Sequence, residues 1–338
     1  MVTFYHVNLL KQLTPQLAAG RALSRPDVTA AVAELLDPGV AEDAKAGFLT
    51  ALAGKGETAE EIAAFALELR ARAVDPGIQV DRLLDIVGTG ADGANTFNIS
   101  SCTMFVAAAA GIAVAKHGNR AITSKCGSAD VLGALGANIE LPPGTARRCL
   151  AETGVTFLFA PLYHPAFKVI APVRQKLRHR TIFNILGPLV NPARPTHQLI
   201  GVFDRALVPK FADVLRLLGV RRALVVHGDG LDELTTFGEN TIAGFDVELP
   251  TLHAPRSTLH DLAGGDPATN AQIVRDILAG KERGPKRDIV LLNAAAALVV
   301  AEVAGDFEQG RTRAAELIDS GAAAEKLARF VEATQANC

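Results

Sequence analysis

The hydrophobic positions of the first part of the chain recur at the spacing of helices. Val28, Val32 and Leu35 lie three or four positions apart, which places them on one helix face. Thr58 and Glu61 have the spacing of a capping box, a pattern that begins a helix. The sequence therefore predicts a helical N-terminal block that ends near residue 77.

From about residue 80 the pattern changes to short apolar runs that alternate with helical stretches. Such alternation predicts a mostly parallel sheet covered by helices. A helix from Pro172 to about Arg180 interrupts the alternation, and residues 250–268 are predicted to form a surface loop. The fold class is therefore α/β, with a small N-terminal helical domain and a larger α/β domain with a mostly parallel central sheet. The predicted strands are residues 83–87, 112–116, 156–159, 198–203, 223–227 and 289–292.

The composition is that of an ordinary soluble protein. The chain has 338 residues, of which 21% are charged, and its net charge is −2, which gives no chain-wide attraction to nucleic acid or to acidic membranes. Its four cysteines are scattered without metal-binding spacing, which favours a reducing, cytoplasmic location. The longest apolar stretches, residues 104–115 and 289–301, are too short to span a bilayer, and the N-terminus has no signal-peptide pattern.

The stretch from residue 83 to residue 101 contains a candidate phosphate site. An apolar run is followed by a glycine-rich turn, residues 88–93, and then by hydroxyl and amide side chains, a layout that presents backbone N–H groups to a phosphate. We interpret it as a pyrophosphate loop in which Asp92 meets ribose hydroxyls or a metal bound to the phosphates. The turn also matches G-x-G-x-x-G. However, the next predicted strand ends in Lys116 and not in the acidic residue of a dinucleotide fold, although Arg120 also suits the phosphate of NADP.

Two later segments add phosphate and metal chemistry. Lys116 and Asn119 begin a second polar loop that continues to Asp130, and its cations and amides suit phosphates. Asp232 and Glu233 follow a predicted strand and a glycine turn. Adjacent carboxylates at a strand end can hold Mg²⁺ together with a substrate phosphate. The alternative for this pair is a solvated helix cap.

A basic cluster at residues 174–180 is compatible with three explanations. It is a solvated helix face, a nucleic-acid patch, or the source of one arginine that pairs with a substrate carboxylate. The near absence of aromatic residues between its charges argues against binding of single-stranded nucleic acid.

In their order and spacing, a set of motifs along nearly the whole chain resembles the anthranilate phosphoribosyltransferase family. The motifs are Gly88-Thr89-Gly90-Ala91-Asp92, Asn95-Thr96-Phe97-Asn98-Ile99-Ser100, Lys116-His117-Gly118-Asn119-Arg120, Cys126-Gly127-Ser128-Ala129-Asp130-Val131-Leu132, Arg180-Thr181-Ile182-Phe183-Asn184-Ile185-Leu186-Gly187-Pro188-Leu189, Gly230-Leu231-Asp232-Glu233 and Leu292-Asn293-Ala294-Ala295-Ala296-Ala297-Leu298.

This resemblance implies a domain organisation and a reaction. The helical domain would be residues 1–77 with a returning segment near 166–190, and the phosphoribosyl-binding α/β domain residues 78–165 and 191–338. The expected enzyme is a homodimer formed through its helical parts, without nucleic-acid or membrane partners. It would join anthranilate to phosphoribosyl pyrophosphate, giving N-(5-phosphoribosyl)anthranilate and pyrophosphate in tryptophan biosynthesis, with two Mg²⁺ ions per subunit.

The resemblance also implies three sets of site residues. Anthranilate would meet Gly88, Asn119 and Arg174. Mg²⁺ would be held by Ser100, Asp232 and Glu233. Lys116 would stabilise the charge of the departing pyrophosphate, and no residue is assigned as an acid or base. The set for phosphoribosyl pyrophosphate is Gly88, Ala91, Asp92, Thr96, Asn98, Ile99, Ser100, Ser101, Lys116, His117, Gly118, Asn119, Arg120, Ser124 and Ser128.

The chain departs from the family pattern at three places. Ala91 stands where glycine is usual, Cys126 where serine is usual, and Arg178-His179 add charge near the expected acceptor site. Alternative functions are a pyrimidine nucleoside phosphorylase, which shares the architecture, and a non-catalytic relative that binds nucleic acid through residues 174–180. A dinucleotide oxidoreductase is a more distant alternative.

Overall fold

The computed structural model describes residues 9–90, 92–121, 124–245 and 257–336. Within these residues the helices are, in chain order, α1 (Leu9–Ala18), α2 (Arg25–Leu35), α3 (Glu42–Lys55), α4 (Ala59–Ala71), α5 (Ile99–Ala109), α6 (Ser128–Ala134), α7 (Pro143–Thr153), α8 (Ala160–Tyr163), α9 (Phe167–Lys176), α10 (Leu207–Leu217), α11 (Pro267–Leu278), α12 (Pro285–Val300), α13 (Phe307–Asp319) and α14 (Ala322–Gln335). The strands of the same residues are β1 (Leu83–Gly88), β2 (Ala113–Gly118), β3 (Val155–Phe159), β4 (His197–Gly201), β5 (Arg222–Gly228) and β6 (Asn240–Phe245).

One compact unit consists of Met1–Ala73 and His164–Val190. The predicted helical N-terminal block is confirmed, and α4 begins at the expected cap. Thr58 and Glu61 form the capping box of α4. The two chain segments are joined in the interior, where Arg70 Nε donates a hydrogen bond of 2.7 Å to the Leu189 carbonyl.

The helix of the returning segment differs from the prediction at both ends. It was expected from Pro172 to about Arg180, but α9 begins at Phe167 and ends at Lys176, with Pro172 inside it. The prediction placed the proline in the first turn, where its missing N–H costs nothing. In α9 the helix tolerates the proline in its interior, and the backbone becomes extended at Leu177.

The second unit consists of Val74–Tyr163 and Asn191–Cys338, and contains a six-stranded sheet. The strand order is β3-β2-β1-β4-β5-β6, with every pair parallel except the antiparallel pair of β5 and β6. The chain first builds outward from β1 to β3 and then continues with β4 on the other side of β1. The point between β1 and β4 is therefore a topological switch point, where open α/β sheets bind ligands beyond the carboxyl ends of the strands.

Both faces of this sheet are covered by helices. Leu84 of β1 packs in the large core that includes α5 and α12. Its neighbour Leu83 points to the opposite face and packs with Leu150 of α7, as expected because successive strand side chains alternate.

Five of the six predicted strands are confirmed to within a few residues, and the sixth is wrong. Residues 289–292 lie inside α12, which is almost entirely buried. A short apolar run does not distinguish a buried strand from a buried helix, and here the run continues through Ala294–Ala297 into a long helix. Strand β6 was not predicted because it is a half-buried edge strand that contains Gly244.

The predicted surface loop at 250–268 is only partly described. Residues 250–256 lie outside the described residues. Leu259–Leu262 form a short 3-10 helix, and Pro267 already begins α11, so the last part of the prediction is wrong. Among the helices that the structure describes, none is both long and apolar enough to cross a membrane.

Candidate active site

Strands β1, β2, β4 and β5 all end in glycine at the same edge of the sheet, and these glycines make room for the site. A Cβ atom at Gly88 would lie 2.1 Å from Asp232 Oδ2, and one at Gly201 would lie 1.5 Å from the Asp232 carbonyl oxygen. At Gly228 it would lie 2.5 Å from the Glu233 carbonyl oxygen. The carboxylate pair therefore lies directly on the ends of three strands, at the switch point.

Asp232 and Glu233 are hydrogen-bonded to the first candidate phosphate loop, residues 88–98, and to the start of helix α5. Asp232 Oδ2 accepts a hydrogen bond of 2.6 Å from the Gly90 N–H, and the Asp232 carboxyl also contacts that of Asp92. Glu233 accepts a hydrogen bond from the Ser100 N–H. Burial raises the pKa of both carboxyls well above the usual range. Repulsion adds to this effect, from Asp92 for Asp232 and from Asp232 for Glu233.

This arrangement fits Mg²⁺. Across the described residues, no three or more His, Cys, Asp and Glu side chains are grouped so that they could hold a metal ion by themselves. Mg²⁺ does not need such a cage, because it keeps several waters and takes further ligands from substrate phosphates. A cation next to Asp232 and Glu233 would offset the repulsion that raises their pKa values.

Lys116 is buried behind this edge of the sheet, with 2% of its surface exposed. Its Nζ donates to the Ile86 carbonyl and, over 3.1 Å, to Ser100 Oγ. Burial lowers its pKa, and the charges of Asp85 and Glu233 oppose that shift. Lys116 of β2 thus connects β1 to the start of α5. Its ammonium group lies beside Ser100, at the buried side of the site.

The N-terminus of α5 presents the predicted polar segment. Ser101 Oγ is fully buried and has no hydrogen-bond partner among the described residues. The first turn of a helix also carries backbone N–H groups without helical partners and a partial positive charge. Ile99 is buried in the core, and Thr96 forms an isolated backbone bridge with Ala263. The start of α5 therefore has the groups that bind an anion.

The second loop folds tightly around Asp130. This carboxylate accepts hydrogen bonds from the N–H groups of Ala121 (2.8 Å) and Gly127 (3.0 Å), and Arg120 donates to it over 3.2 Å. A Cβ atom at Gly127 would lie 2.4 Å from the Ala121 nitrogen, so only glycine fits there. The two halves of the loop consequently lie in contact.

The other predicted residues of this loop have different surroundings. Ser128 lies against Gly118, where a Cβ atom would be 2.2 Å from Ser128 Oγ. Asn119 and Ser124 are exposed. His117 is buried, on the sheet face opposite to that of Lys116, so its side chain does not point toward Ser100.

Two predicted site residues are not part of this cluster as described. Ala91 lies outside the described residues. Arg174 belongs to the helical unit, where its guanidinium lies 5.4 Å from the centre of the Phe183 ring. Burial lowers the pKa of Arg174, whereas Arg178 and His179 are exposed.

Sequence reasoning missed the asparagines that hold the site in place. Asn293 of α12 binds both backbone groups of Leu234, and Asn240 does the same for Thr235 at 2.8 Å each. Asn270 of α11 donates a hydrogen bond of 2.9 Å to Asn98. Only Asn293 carried a signal, as an amide within an otherwise apolar run.

Comparisons with known proteins agree with this geometry. Residues 80–324 match the family described as "Glycosyl transferase family, a/b domain", and residues 11–73 match "Glycosyl transferase family, helical bundle domain". A curated relative from Anaeromyxobacter dehalogenans (strain 2CP-C), named anthranilate phosphoribosyltransferase, is 48% identical over 96% of this chain and 99% of its own.

Two solved structures of anthranilate phosphoribosyltransferases have the same fold. The protein from Thermus thermophilus matches with a TM-score of 0.91 at 39% identity, over 98% of this chain and all of that one. The protein from Saccharomyces cerevisiae, solved with PRPP and Mg, matches with a TM-score of 0.87 at 29% identity, over 97% of this chain and 98% of that one. The resemblance seen in the sequence is confirmed, and the chain belongs to the anthranilate phosphoribosyltransferase family of enzymes.

Proposed function

We propose that this enzyme transfers the phosphoribosyl group of phosphoribosyl pyrophosphate to the amino group of anthranilate, with Mg²⁺, in tryptophan biosynthesis. The observation that carries the proposal is the placement of Asp232 and Glu233 against Gly88 and the start of α5. A carboxylate pair beside a glycine loop and a helix N-terminus suits a substrate with both a metal-binding pyrophosphate and a ribose. The printed names of the relatives agree with this choice.

The phosphates of the substrate would be bound by the two loops. The backbone of residues 88–93 and the first turn of α5 would hold the pyrophosphate, and Asp92 the ribose hydroxyls. Ser100, Asp232 and Glu233 would hold Mg²⁺, as two ions per subunit, which would neutralise the phosphates and assist departure of the pyrophosphate. The remaining predicted contacts are Ala91, Thr96, Asn98, Ile99, Ser101, Lys116, His117, Gly118, Asn119, Arg120, Ser124 and Ser128.

The reaction then needs little acid–base chemistry. The bond between ribose C1 and the pyrophosphate oxygen breaks, and C1 gains oxocarbenium character. The positive charge of Lys116 and the backbone N–H groups stabilise the departing negative charge. The anthranilate amine forms the new C1–N bond and releases its proton after the attack. Orientation of the amine is the main remaining task, and it would fall to Gly88, Asn119 and Arg174, with Arg174 pairing with the carboxylate.

The domain and assembly expectations are proposals of the same kind. Residues 1–77 with 166–190 would form the helical domain, and residues 78–165 with 191–338 the phosphoribosyl-binding domain. The enzyme would be a cytoplasmic homodimer that associates through its helical parts. Light scattering on the purified chain tests the dimer, and a monomeric mass at micromolar concentration would contradict it.

A substrate panel tests the function. The purified chain is incubated with phosphoribosyl pyrophosphate, Mg²⁺ and one aryl amine at a time, and pyrophosphate release and loss of anthranilate are followed together. We expect equal release and loss with anthranilate, and neither with EDTA. Absence of pyrophosphate release with all three components present would overturn the proposal. Phosphorolysis of thymidine or uridine would instead favour a nucleoside phosphorylase.

A further inference from the structure

A chain of three hydrogen bonds connects α11 to both loops of the site. Asn270 Oδ1 accepts from the Gly265 N–H over 2.7 Å, and Asn270 Nδ2 donates to Asn98 Oδ1 over 2.9 Å. Asn98 Nδ2 then donates to the Cys126 carbonyl over 3.1 Å. Asn270 is 1% exposed, so its amide has little access to water. Asn98 of the first loop therefore bonds directly to the second loop at Cys126, and the buried Asn270 holds Asn98 from α11.

The direction of this chain is fixed by its two ends. At one end the Gly265 N–H can only donate, and at the other the Cys126 carbonyl can only accept. The orientation of an asparagine amide must be assigned from its partners, and here each partner determines the next. Asn270 must turn its oxygen to Gly265 and its nitrogen to Asn98, so Asn98 must turn its nitrogen to Cys126. An aspartate at either position would break one bond of the chain.

The segment that orients Asn270 is itself joined to the first loop. The Phe97 N–H donates to the Leu262 carbonyl over 3.1 Å, and the Gly264 N–H donates to the Asn95 carbonyl over 3.0 Å. A Cβ atom at Gly264 would lie 2.7 Å from the Phe97 nitrogen, so the two backbones are in direct contact. Residues 262–265 consequently give Asn270 a fixed support.

The Asn270 amide also reaches the side chain of Cys126. Burial raises the pKa of the Cys126 thiol to about 11, and a hydrogen bond with Asn270 opposes that shift. Asn270 therefore contacts the second loop at a side chain and, through Asn98, at a backbone carbonyl.

We propose that Asn270 is a positioning residue that sets the spacing between the two substrate loops, acting through Asn98. This rests on the proposed function, in which both loops bind one molecule of phosphoribosyl pyrophosphate. The Asn98 oxygen and one of its N–H groups are used inside the protein. The Asn98 side chain therefore connects the loops, and its second N–H group remains for the proposed contact with phosphoribosyl pyrophosphate. Anthranilate would meet the two loops only at Gly88 and Asn119, and neither residue takes part in these three hydrogen bonds, so its binding should depend on them less.

Steady-state kinetics of matched variants test the proposal. Asn270→Asp has nearly the same shape and keeps the acceptor for Gly265 but loses the donor to Asn98. Asn98→Asp keeps the acceptor for Asn270 but loses the donor to Cys126. Both should raise KM for phosphoribosyl pyrophosphate about tenfold, because each loses one buried hydrogen bond of the chain, and KM for anthranilate should change less than about twofold.

Val274→Ala is the control, since Val274 lies one turn along the same helix, is fully buried and is apolar. It should lower the thermal midpoint without changing KM for phosphoribosyl pyrophosphate. The proposal is overturned if Asn270→Asp behaves like Val274→Ala, or if the two KM values rise together.

Amide hydrogen exchange of the same variants gives a result that does not depend on turnover. The Ala121 and Gly127 amides should exchange faster in Asn270→Asp, Asn98→Asp and Asn270→Ala, and at the wild-type rate in Val274→Ala. The Gly265 amide should be affected in Asn270→Ala alone, because aspartate keeps its acceptor. Unchanged exchange at Ala121 and Gly127 in all variants would overturn the coupling. If the wild type lacked transferase activity, the proposed function would fail while this measurement still decided the coupling.

Discussion

Asn293 forms hydrogen bonds with both backbone groups of Leu234. Its Oδ1 accepts from the Leu234 N–H over 3.1 Å, and its Nδ2 donates to the Leu234 carbonyl over 2.8 Å. Leu234 directly follows Glu233, and Asn293 lies on a helix that is buried along most of its length. The backbone that follows the proposed Mg²⁺ ligands is thus fixed to a buried helix, which keeps the two carboxyl groups close together before any cation binds.

Replacing Asn293 should therefore weaken Mg²⁺ binding. Asn293→Leu is similar in size but leaves two buried backbone groups of Leu234 unsatisfied, at a cost of about 1–3 kcal/mol each. We expect the Mg²⁺ concentration for half-maximal activity to rise about tenfold, measured by Mg²⁺ titration at saturating substrates. Leu298→Ala, also buried on α12, should lower stability without changing the Mg²⁺ requirement. An equal requirement in wild type and Asn293→Leu would contradict the role of Asn293.

Gly88→Ala should displace Asp232. The new methyl group would lie 2.1 Å from Asp232 Oδ2, which forces the carboxylate or the strand end to move. A displacement of this size should lower kcat/KM by about 100-fold or more. Gly133→Ala is the matched control, because a Cβ atom there has no neighbour within 4 Å. Gly133 lies inside α6, where alanine is the better helix former. Gly133→Ala should therefore leave the fold intact and retain full activity. Equal activities of the two variants would count against the packing argument.

Arg174→Ala should affect the KM for anthranilate and leave the KM for phosphoribosyl pyrophosphate nearly unchanged. If Arg174 pairs with the anthranilate carboxylate, the variant should raise KM for anthranilate by about 10- to 100-fold, the effect of losing a charged hydrogen bond. KM for phosphoribosyl pyrophosphate should stay nearly constant. Arg174→Lys keeps the charge but not the bidentate geometry, so it should fall between wild type and Arg174→Ala. Equal rises in both KM values would contradict the assignment.

The stability of the protein should fall in mild acid because of His164. Burial lowers the pKa of this histidine to about 4, while a hydrogen bond to the Val190 carbonyl opposes the shift. The unfolded chain, with a histidine pKa near 6.5, binds more protons than the native state between these values. Stability is therefore present above pH 6.5 and lost as the pH falls toward 4.

The expected loss from pH 7 to pH 5 is about 2 kcal/mol for this one group. Urea unfolding at the two pH values, followed by circular dichroism, measures it. His164→Gln cannot titrate and should have a smaller difference between pH 7 and pH 5. A difference as large as that of the wild type would assign the acid sensitivity to other groups.

The sequence contained enough information for the architecture but not for every element. Short apolar runs predicted β1 to β5, because buried parallel strands are continuously hydrophobic. The same rule misplaced residues 289–292, since a buried helix is also hydrophobic on all sides. Edge strand β6 is half-buried and contains Gly244, so it has no continuous apolar run to predict it. These errors follow from burial, which erases the periodicity that distinguishes a helix from a strand.

In the candidate site, the charged residues that lie in short motifs could be predicted from the sequence. The asparagines that hold the surrounding loops in place could not. Asp232 and Lys116 stood out because charged groups follow apolar runs. The side chains that support the site, Asn270 at Asn98 and Asn293 at Leu234, are distant in sequence from the residues they hold. Their contacts arise only once α11 and α12 pack beside the strands, so the amide of Asn293 within an apolar run was a signal without a partner, and Asn270 had no signal at all.

The helical unit also has a consequence for the order in which the protein is made. It consists of two separate stretches of chain, and Arg70 finds its partner carbonyl at Leu189, 119 residues later. At a synthesis rate of about 5–20 residues per second, the nascent chain waits about 6–24 s for that partner. During this interval β1, β2 and β3 emerge from the ribosome. The helical unit is therefore started first, but it is completed only after three of the six described strands of the α/β unit have been synthesised.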